Sequence, residues 1–389
     1  MYRQMLEVMR SVSEHVAERD ELIELIAIAL LTKKNVFLLG DTGQAKSYVI
    51  NLFRNRIEGA KQFERLLSKQ TDEEALFGRI DLQSLIARKP QMITTGKIPD
   101  SDIVFLDEIF KSNEAVLNSL LTALNERRYT NESETVDIPT ISFFSASNEI
   151  PNFSDPAEKI LLPLYDRFEI KVLTQYIQNR DNRLKVMRSK QQGYNAHSGF
   201  RITMEQLDLM QWGVTQVTVP EPINELMDDI LCELRVAGIH VSDRKYFGYY
   251  PIAQAKAYLS GRDTVIPEDL LVLKNYLWTK PEQITPIETT LWKHCVNPMA
   301  SKLVEIIAMA DESLAEWRDN GQDRMALRMV RDEFVRLYEN ATALDDSNLT
   351  SSDQRQLADC IASLNDRLKS AFDICGMTFT PLEEVKILA

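Results

Sequence analysis

Short runs of apolar residues divide the first half of the chain, and each of them ends in polar residues. The runs Val36–Leu39 and Ile103–Leu106 are apolar throughout, and Thr140–Asn148 contains a third run. Runs of this length are typical of strands in a parallel sheet that is covered on both faces. Helical segments separate the runs, so the pattern predicts an α/β domain with a parallel sheet.

The segment after the first predicted strand resembles a phosphate-binding loop of the form G-x-x-x-x-G-K-[ST]. Gly40 permits a tight turn out of the strand, and Gly43 lets backbone N–H groups approach a phosphate. Lys46 supplies a charge for the β- and γ-phosphates, and the Ser47 hydroxyl is a candidate Mg²⁺ ligand. Alanine replaces the last glycine of the pattern, and an ordinary strand–turn–helix is the alternative interpretation. The candidate nucleotide-binding residues are Gly40, Asp41, Thr42, Gly43, Gln44, Ala45, Lys46, Ser47 and Tyr48.

Polar residues also follow the second and third predicted strands, at the edge where parallel sheets bind ligands. Asp107 is a candidate Mg²⁺ ligand, directly or through water, and Glu108 is a candidate general base for the attacking water. Asn148 ends the third strand, where its amide would reach the γ-phosphate or the water; a simple turn former is the alternative. These residues predict a nucleoside triphosphatase.

The chain resembles the MoxR family of AAA+ ATPases, and in particular its RavA branch. The resemblance covers about residues 10 to 285, and alanine at the last P-loop glycine is itself a feature of that branch. It is carried by Gly43–Ser47, Ile103–Lys111, Leu120–Arg127 and Ala146–Glu149.

The resemblance implies roles for three further segments. Thr71–Gly78 and Thr95–Pro99 resemble parts of a helix-2 insert, at about residues 71–102, which reaches toward the pore of a ring. A surface loop is the alternative interpretation of that insert. Leu164–Phe168 resembles the motif whose arginine, here Arg167, acts on the neighbouring subunit as an arginine finger. Arg244, in a segment similar to the second sensor, would touch the γ-phosphate from the lid.

The predicted organisation has three parts. Residues 1–190 form the AAA+ α/β core, with a P-loop and a parallel sheet flanked by helices. Residues 191–285 form an all-α lid, and residues 286–389 form a C-terminal bundle of three helices. Apolar residues recur at three- and four-residue spacing in each predicted helix of the bundle. The bundle contains no pattern of catalytic residues.

Composition narrows the function further. The 389 residues include 58 acidic and 45 basic side chains, and the net charge of −13 argues against generic nucleic-acid binding. The four cysteines are scattered, without the spacing of a zinc site or a disulfide framework. No apolar stretch has the length of a membrane span. We therefore expect a cytoplasmic protein without membrane insertion.

These expectations combine into one function. ATP is the expected substrate, with Mg²⁺, and the family implies a homo-oligomeric ring, expected as a hexamer. It also implies chaperone-like remodelling of a protein client, often one with a von Willebrand factor A (vWA) domain. Two alternatives stay open: a nucleic-acid-dependent AAA+ motor, and a nucleotide-gated scaffold with little turnover.

Overall fold

The computed structural model describes residues 1–41, 43–86, 91–131, 134–156, 158–191, 199–296, 298–319, 323–344 and 351–384. The chain forms two compact units, Met1–Leu291 and Trp292–Ala389. Among the described residues, no helix is both long enough and apolar enough to cross a bilayer. The predicted division into core, lid and bundle stays a prediction at the level of its boundaries.

A parallel sheet of five strands lies at the centre of the first unit. Its strand order is β10-β1-β9-β6-β3, and all neighbouring strands run in the same direction. The central strands β1 and β9 are buried along their whole length, as expected for a sheet with helices on both faces. The strands are β1 (Val36–Leu39), β2 (Ile57–Glu58), β3 (Gln62–Leu66), β4 (Arg79–Ile80), β5 (Met92–Ile93), β6 (Ile103–Asp107), β7 (Arg128–Asn131), β8 (Glu134–Asp137), β9 (Ser142–Ser147), β10 (Ile170–Leu173) and β11 (Ile202–Thr203).

Helices surround this sheet and continue into the lid region. Buried apolar side chains cover nearly all of α2, which packs against the lid helices α9 and α12. The helices of the first unit are α1 (Tyr2–Ser13), α2 (Asp20–Thr32), α3 (Lys46–Arg54), α4 (Glu73–Phe77), α5 (Leu82–Ile86), α6 (Glu114–Glu126), α7 (Leu162–Asp166), α8 (Arg180–Gln191), α9 (Met204–Thr215), α10 (Glu221–Val236), α11 (Asp243–Phe247), α12 (Tyr250–Leu259), α13 (Lys274–Leu277) and α14 (Ile284–Cys295), which ends in the second unit.

The second unit contains three long helices, α15 (Pro298–Asp319), α16 (Ala326–Thr342) and α17 (Ser351–Ile374). All three pairs of helices are in contact. Their apolar faces form a core that includes Trp317, Phe334 and Leu364. The predicted fold class, a parallel sheet flanked by helices and followed by helical segments, is confirmed.

Two segments of the first unit contain short elements. Pro267–Leu273 is a 3₁₀ helix, and the following Lys274–Leu277 is α-helical. The insert at about 71–102 contains an antiparallel pair, β4 with β5, and the short helix α5 lies between them.

The two ends of the sheet separate the candidate residues. We use "carboxyl edge" for the end at which Leu39, Asp107 and Ser147 leave β1, β6 and β9. We use "amino edge" for the opposite end, at which Val36 of β1 is paired with Ile170 of β10. Three residue steps of about 3.3 Å separate Val36 from Leu39, so the two edges lie roughly 10 Å apart along β1.

Candidate active site

The carboxyl edge brings together the residues that the sequence predicted for nucleotide binding. Leu39 is paired with Ser147, and Asp107 is paired with Ala146, so the polar residues that follow these strands share one edge. The P-loop leaves β1 between β9 and β10. Thr42, one of the candidate binding residues, lies outside the described residues.

The P-loop conformation explains its glycines. A Cβ on Gly40 would lie 2.1 Å from Oγ1 of Thr174, so a larger residue does not fit there. Gly43 has φ +85°, in the left-handed region that glycine adopts easily. Ala45 also lies in this region, at φ +60°, directly before α3. The site of the pattern's missing glycine therefore keeps the backbone conformation that glycine favours.

Lys46 points back across the loop, and its Nζ donates to the Gly40 carbonyl at 2.6 Å. Burial lowers the pKa of Lys46, whereas the charges of Asp107, Glu108 and Asp41 raise it. The lysine thus lies within electrostatic reach of the acidic residues at the same edge. A bound phosphate would give it the strong anionic partner that the carbonyl now replaces.

Glu108 is held in a constrained position at this edge. Its backbone has φ +54°, which is rare for a residue with a side chain, and its N–H donates to Oδ1 of Asp107 at 3.0 Å. The Asn148 amide, oriented by its hydrogen bonds, donates to both Glu108 carboxylate oxygens at 2.8 and 2.9 Å. Lys111 Nζ lies 3.2 Å from Glu108 Oε2. Strain of this kind is concentrated at functional sites.

The residues present fit a magnesium–nucleotide complex. A cavity of about 330 Å³ is lined by Gly40, Asp41, Asn148 and Pro281 among others. Ser47 lies in the first turn of α3, whose N-terminus favours an anion. The described residues hold no cluster of three or more His, Cys, Asp or Glu side chains suited to a metal. Mg²⁺ is commonly held by one or two protein oxygens plus phosphates, which suits Ser47 and Asp107.

A second cavity adjoins the P-loop, and sequence reasoning missed it. Its volume is about 450 Å³, and P-loop residues 43–45 and Tyr48 line one side. The turn between α1 and α2, the segment after β10 and helix α8 supply the rest, in a mainly apolar wall typical of ligand pockets. The principal residues added by the structure are His15, Val16, Ala17, Tyr176 and Ile177. No motif marks these residues, and a mainly apolar pocket beside a phosphate loop is suited to a nucleotide base.

Arg167 lies at the amino edge, away from the P-loop of its own subunit. It lies three residues before the start of β10, and its carbonyl accepts a hydrogen bond from Nδ2 of Asn35, which precedes β1, at 3.1 Å. Its Nη1 donates to the Pro163 carbonyl at 3.2 Å. Its Nε is buried and has no hydrogen-bond partner among the described residues. Burial, and then the charge of Arg244, lower the pKa of Arg167.

Arg244 lies beside Arg167 at this edge. Its Nη1 is 3.9 Å from Oδ2 of Asp166, and its Nη2 donates to Oδ1 of Asn125 at 3.4 Å. Within the described chain, none of its recorded contacts is with Lys46 or Glu108. The structure therefore groups the predicted residues into two sets: the P-loop, acidic residues and Asn148 at one edge, and the two arginines at the other.

Comparisons with known proteins identify the family of the chain. A family model for the MoxR domain in the MoxR–vWA–β-propeller ternary systems matches residues 3–211, and a model for an AAA lid domain matches residues 222–291. An uncharacterized protein of Methanocaldococcus jannaschii is 30% identical over 363 residues, covering 91% of this chain and 92% of that protein. Another from the same organism is 31% identical over 290 residues, which is 73% of each chain.

A similar structure is known. The crystal structure of a candidate ATPase from Cytophaga hutchinsonii superimposes with a TM-score of 0.62 at 19% identity, covering 76% of this chain and 95% of that one. Identity at this level shows the fold alone.

Proposed function

The chain belongs to the MoxR domains of the MoxR–vWA–β-propeller systems, within the AAA+ ATPases, and on that premise we propose that it hydrolyses ATP. The observation that carries the proposal is the convergence of Lys46, Asp107, Glu108 and Asn148 at the carboxyl edge. This set contains a phosphate-binding cation, a carboxylate suited to Mg²⁺ and a positioned general base, as triphosphate hydrolysis requires.

Each residue at the carboxyl edge has a distinct task in this proposal. Lys46 exchanges the Gly40 carbonyl for the β- and γ-phosphates, and Gly43 admits them to the backbone N–H groups. Ser47 and Asp107 hold Mg²⁺, which when bound neutralises charge on the phosphate oxygens. The adenine base of ATP occupies the cavity beside Tyr48.

Glu108 orients the attacking water and accepts its proton, and Asn148 holds the glutamate carboxylate. The Asn148 amide nitrogen donates to the two Glu108 carboxylate oxygens at 2.8 and 2.9 Å, so the general base is already positioned before nucleotide binds. Positioning of a general base accounts for about 10²- to 10⁴-fold in rate. Lys111, on the other side of the carboxylate, must leave room for the water.

The arginines act between subunits in this proposal. Arg167 and Arg244 lie at the amino edge, so the sheet of their own subunit separates them from their own P-loop. A neighbouring subunit in a homo-oligomeric ring would present its P-loop to them. The placement of Arg244 favours this arrangement over a contact with its own subunit's γ-phosphate. A hexamer, and the RavA branch in particular, are supported only by the family resemblance.

The client is proposed from the family description. Because these MoxR domains are described with vWA proteins, we propose a protein client with a vWA domain, remodelled in a chaperone-like manner in the cytoplasm. Leu82 and Ile86 of the insert are 72% and 83% exposed, and exposed apolar residues of this kind are suited to a protein client.

The test separates binding from hydrolysis. Glu108→Gln should bind ATP normally and hydrolyse it about 100- to 1000-fold more slowly, whereas Lys46→Ala should lose binding, as measured with a fluorescent ATP analogue. Glu114→Gln, at an exposed position in the first turn of α6, is the matched control and should keep parental turnover. An unchanged rate in Glu108→Gln would remove that residue from the mechanism.

The same assay distinguishes the alternatives. A salt-sensitive rise in the ATPase rate with DNA would favour the nucleic-acid motor, which the net charge of −13 argues against. ATP binding without phosphate release in the parent protein would favour the scaffold.

A further inference from the structure

Two lysines meet in the interior of the first unit. Lys171 belongs to β10 and is 0% exposed, and Lys245 belongs to α11 and is 2% exposed. Lysine is almost never fully buried unless it is paired. The two side chains therefore need an explanation that packing alone does not give.

The contacts of each ammonium group are with backbone carbonyls. Lys171 Nζ donates to the Phe168 carbonyl at 2.7 Å, 4.6 Å from the centre of the Tyr165 ring. Lys245 Nζ donates to the carbonyls of Trp278 at 3.3 Å and Leu277 at 3.5 Å. The two amines also lie close enough to influence each other's charge.

Burial disfavours a charge on either amine. Burial lowers the pKa of both lysines, and the charge of Lys245 lowers that of Lys171 further. The charges of Asp166 and Glu169 act in the opposite direction on both pKa values.

Each lysine lies next to one of the two arginines, through a backbone contact or through the chain itself. The carbonyl that Lys171 holds belongs to Phe168, the residue after Arg167. Lys245 directly follows Arg244, and its own carbonyl accepts from the Tyr276 hydroxyl at 3.1 Å. Lys171 therefore fixes the backbone beside Arg167, and Lys245 fixes the backbone beside Arg244 to the end of α13.

We propose that Lys171 and Lys245 are positioning residues that fix Arg244 next to Arg167, so that both arginines enter the neighbouring subunit's nucleotide site together. This proposal rests on the proposed function, in which the arginines act between subunits. Apolar residues would fill the same space, but they would not bond the three carbonyls that set the direction of these segments.

The test uses mixed rings of the full-length protein. Lys171→Met and Lys245→Met should bind ATP with parental affinity but show a kcat lower by about 100-fold, since small displacements of catalytic groups have effects of this size. Mixing either variant with Lys46→Ala subunits should restore part of the activity. In such rings the arginines of Lys46→Ala subunits face the intact P-loops of the lysine variants.

A double variant guards against unfolding. Lys171→Met leaves Lys245 without its amine partner, and the reverse holds for Lys245→Met, so either single variant is at risk of unfolding. The double variant Lys171→Met/Lys245→Met buries no charge and should fold, bind ATP and still fail to stimulate its neighbour. Parental activity in the double variant would overturn the proposal. Failure of the double variant to fold or to bind ATP would also overturn it, because the pair would then be part of the structural core.

A matched control comes from another lysine that joins α12 to α2. Lys256 forms an ion pair with Glu24 and lies in the same lid, with no recorded contact to either arginine in the described chain. Lys256→Met should keep kcat. If mixtures of Arg167→Ala with Lys46→Ala show no restored activity, the proposed action of the arginines between subunits fails, whereas ATP hydrolysis itself is tested by Glu108→Gln. If those mixtures are restored but those with lysine variants are not, only the positioning role fails.

Discussion

The carboxyl and amino edges of the central sheet are built in different ways. The carboxyl edge takes its groups from residues that directly follow β1, β6 and β9, so each group is held by the strand before it. The amino edge combines α7, β10, α11 and α13: Arg244 lies near Asp166 of α7, and the buried lysines of β10 and α11 donate to backbone carbonyls. The groups of the carboxyl edge thus follow single strands, whereas those of the amino edge come from several elements that are distant in the chain.

This difference predicts how the two edges respond to change. Damage at the carboxyl edge should affect the subunit that carries it. Substitutions at the amino edge should lower the ATPase activity of the neighbouring subunit, and mixing with suitable subunits should restore part of that activity.

The largest effect should come from Arg167→Ala. Loss of a trans-acting arginine lowers kcat by about 10³-fold or more, and ATP binding should be retained because the carboxyl edge is intact. Adding Lys46→Ala subunits should return part of the phosphate release, measured on rings shown to contain both proteins.

Arg128→Ala is the charge-matched control for this experiment. Arg128 is exposed and forms an ion pair with Asp137 at 3.0 Å, so its loss should leave turnover unchanged. Mixed rings no more active than the separate variants would mean that Arg167 acts within its own subunit or not at all.

An intermediate effect should appear in stability against pH. Lys245 has an ordinary pKa of 10.5 when unfolded and about 8 when folded. Between these values the unfolded chain binds a proton that the folded chain has released, so the free energy of unfolding rises with pH. The slope should be up to about 1.4 kcal/mol per pH unit for one such group.

The comparison is with Lys171→Met/Lys245→Met, in which this rise should be absent. The measurement is the melting temperature from pH 8 to pH 10. Burial raises the pKa of Tyr129 and Tyr249 from 10 to about 12, so near pH 10 they begin to oppose the rise, but they do so equally in both proteins. Parallel pH profiles for the two proteins would show that the lysines keep their protons when buried.

The smallest effect should come from Ala45→Gly at the carboxyl edge. Ala45 lies at φ +60°, where a side chain costs roughly 1–2 kcal/mol and glycine has an entropic cost of about 0.5–1 kcal/mol. The variant should therefore be more stable by about 0.5 kcal/mol in urea unfolding. Ala123→Gly, inside α6, should instead lose about 1 kcal/mol or more. A loss of stability in both variants would exclude strain at Ala45.

The sequence predicted the parts of the molecule that depend on neighbouring residues. Three helices were predicted for the C-terminal bundle, and the longest of them, α17, has apolar residues at regular spacing over its length. The P-loop was recognised because Gly40, Gly43, Lys46 and Ser47 lie within eight residues of each other.

The remaining features depend on tertiary contacts between distant segments. Lys171 and Lys245 are ordinary lysines in the sequence, and only the packing of β10 against α11 and α13 makes them unusual. His15 lines the second cavity, beside the P-loop, because the turn after α1 reaches that loop. Lys111 belongs to the Ile103–Lys111 motif, but the sequence did not predict its contact with Glu108. The roles of all candidate residues stay predictions until the variants are measured.

The separation of the two edges along β1 has a consequence for enzyme kinetics. Arg167 precedes the amino end of β10, and Lys46 follows the carboxyl end of β1, so the sheet separates the arginine from the P-loop of the same subunit. A change of side-chain rotamer alone would not bring Arg167 to the nucleotide of its own subunit. Specific activity should then depend on protein concentration, falling on dilution as neighbours dissociate, while the affinity of each isolated subunit for ATP stays constant.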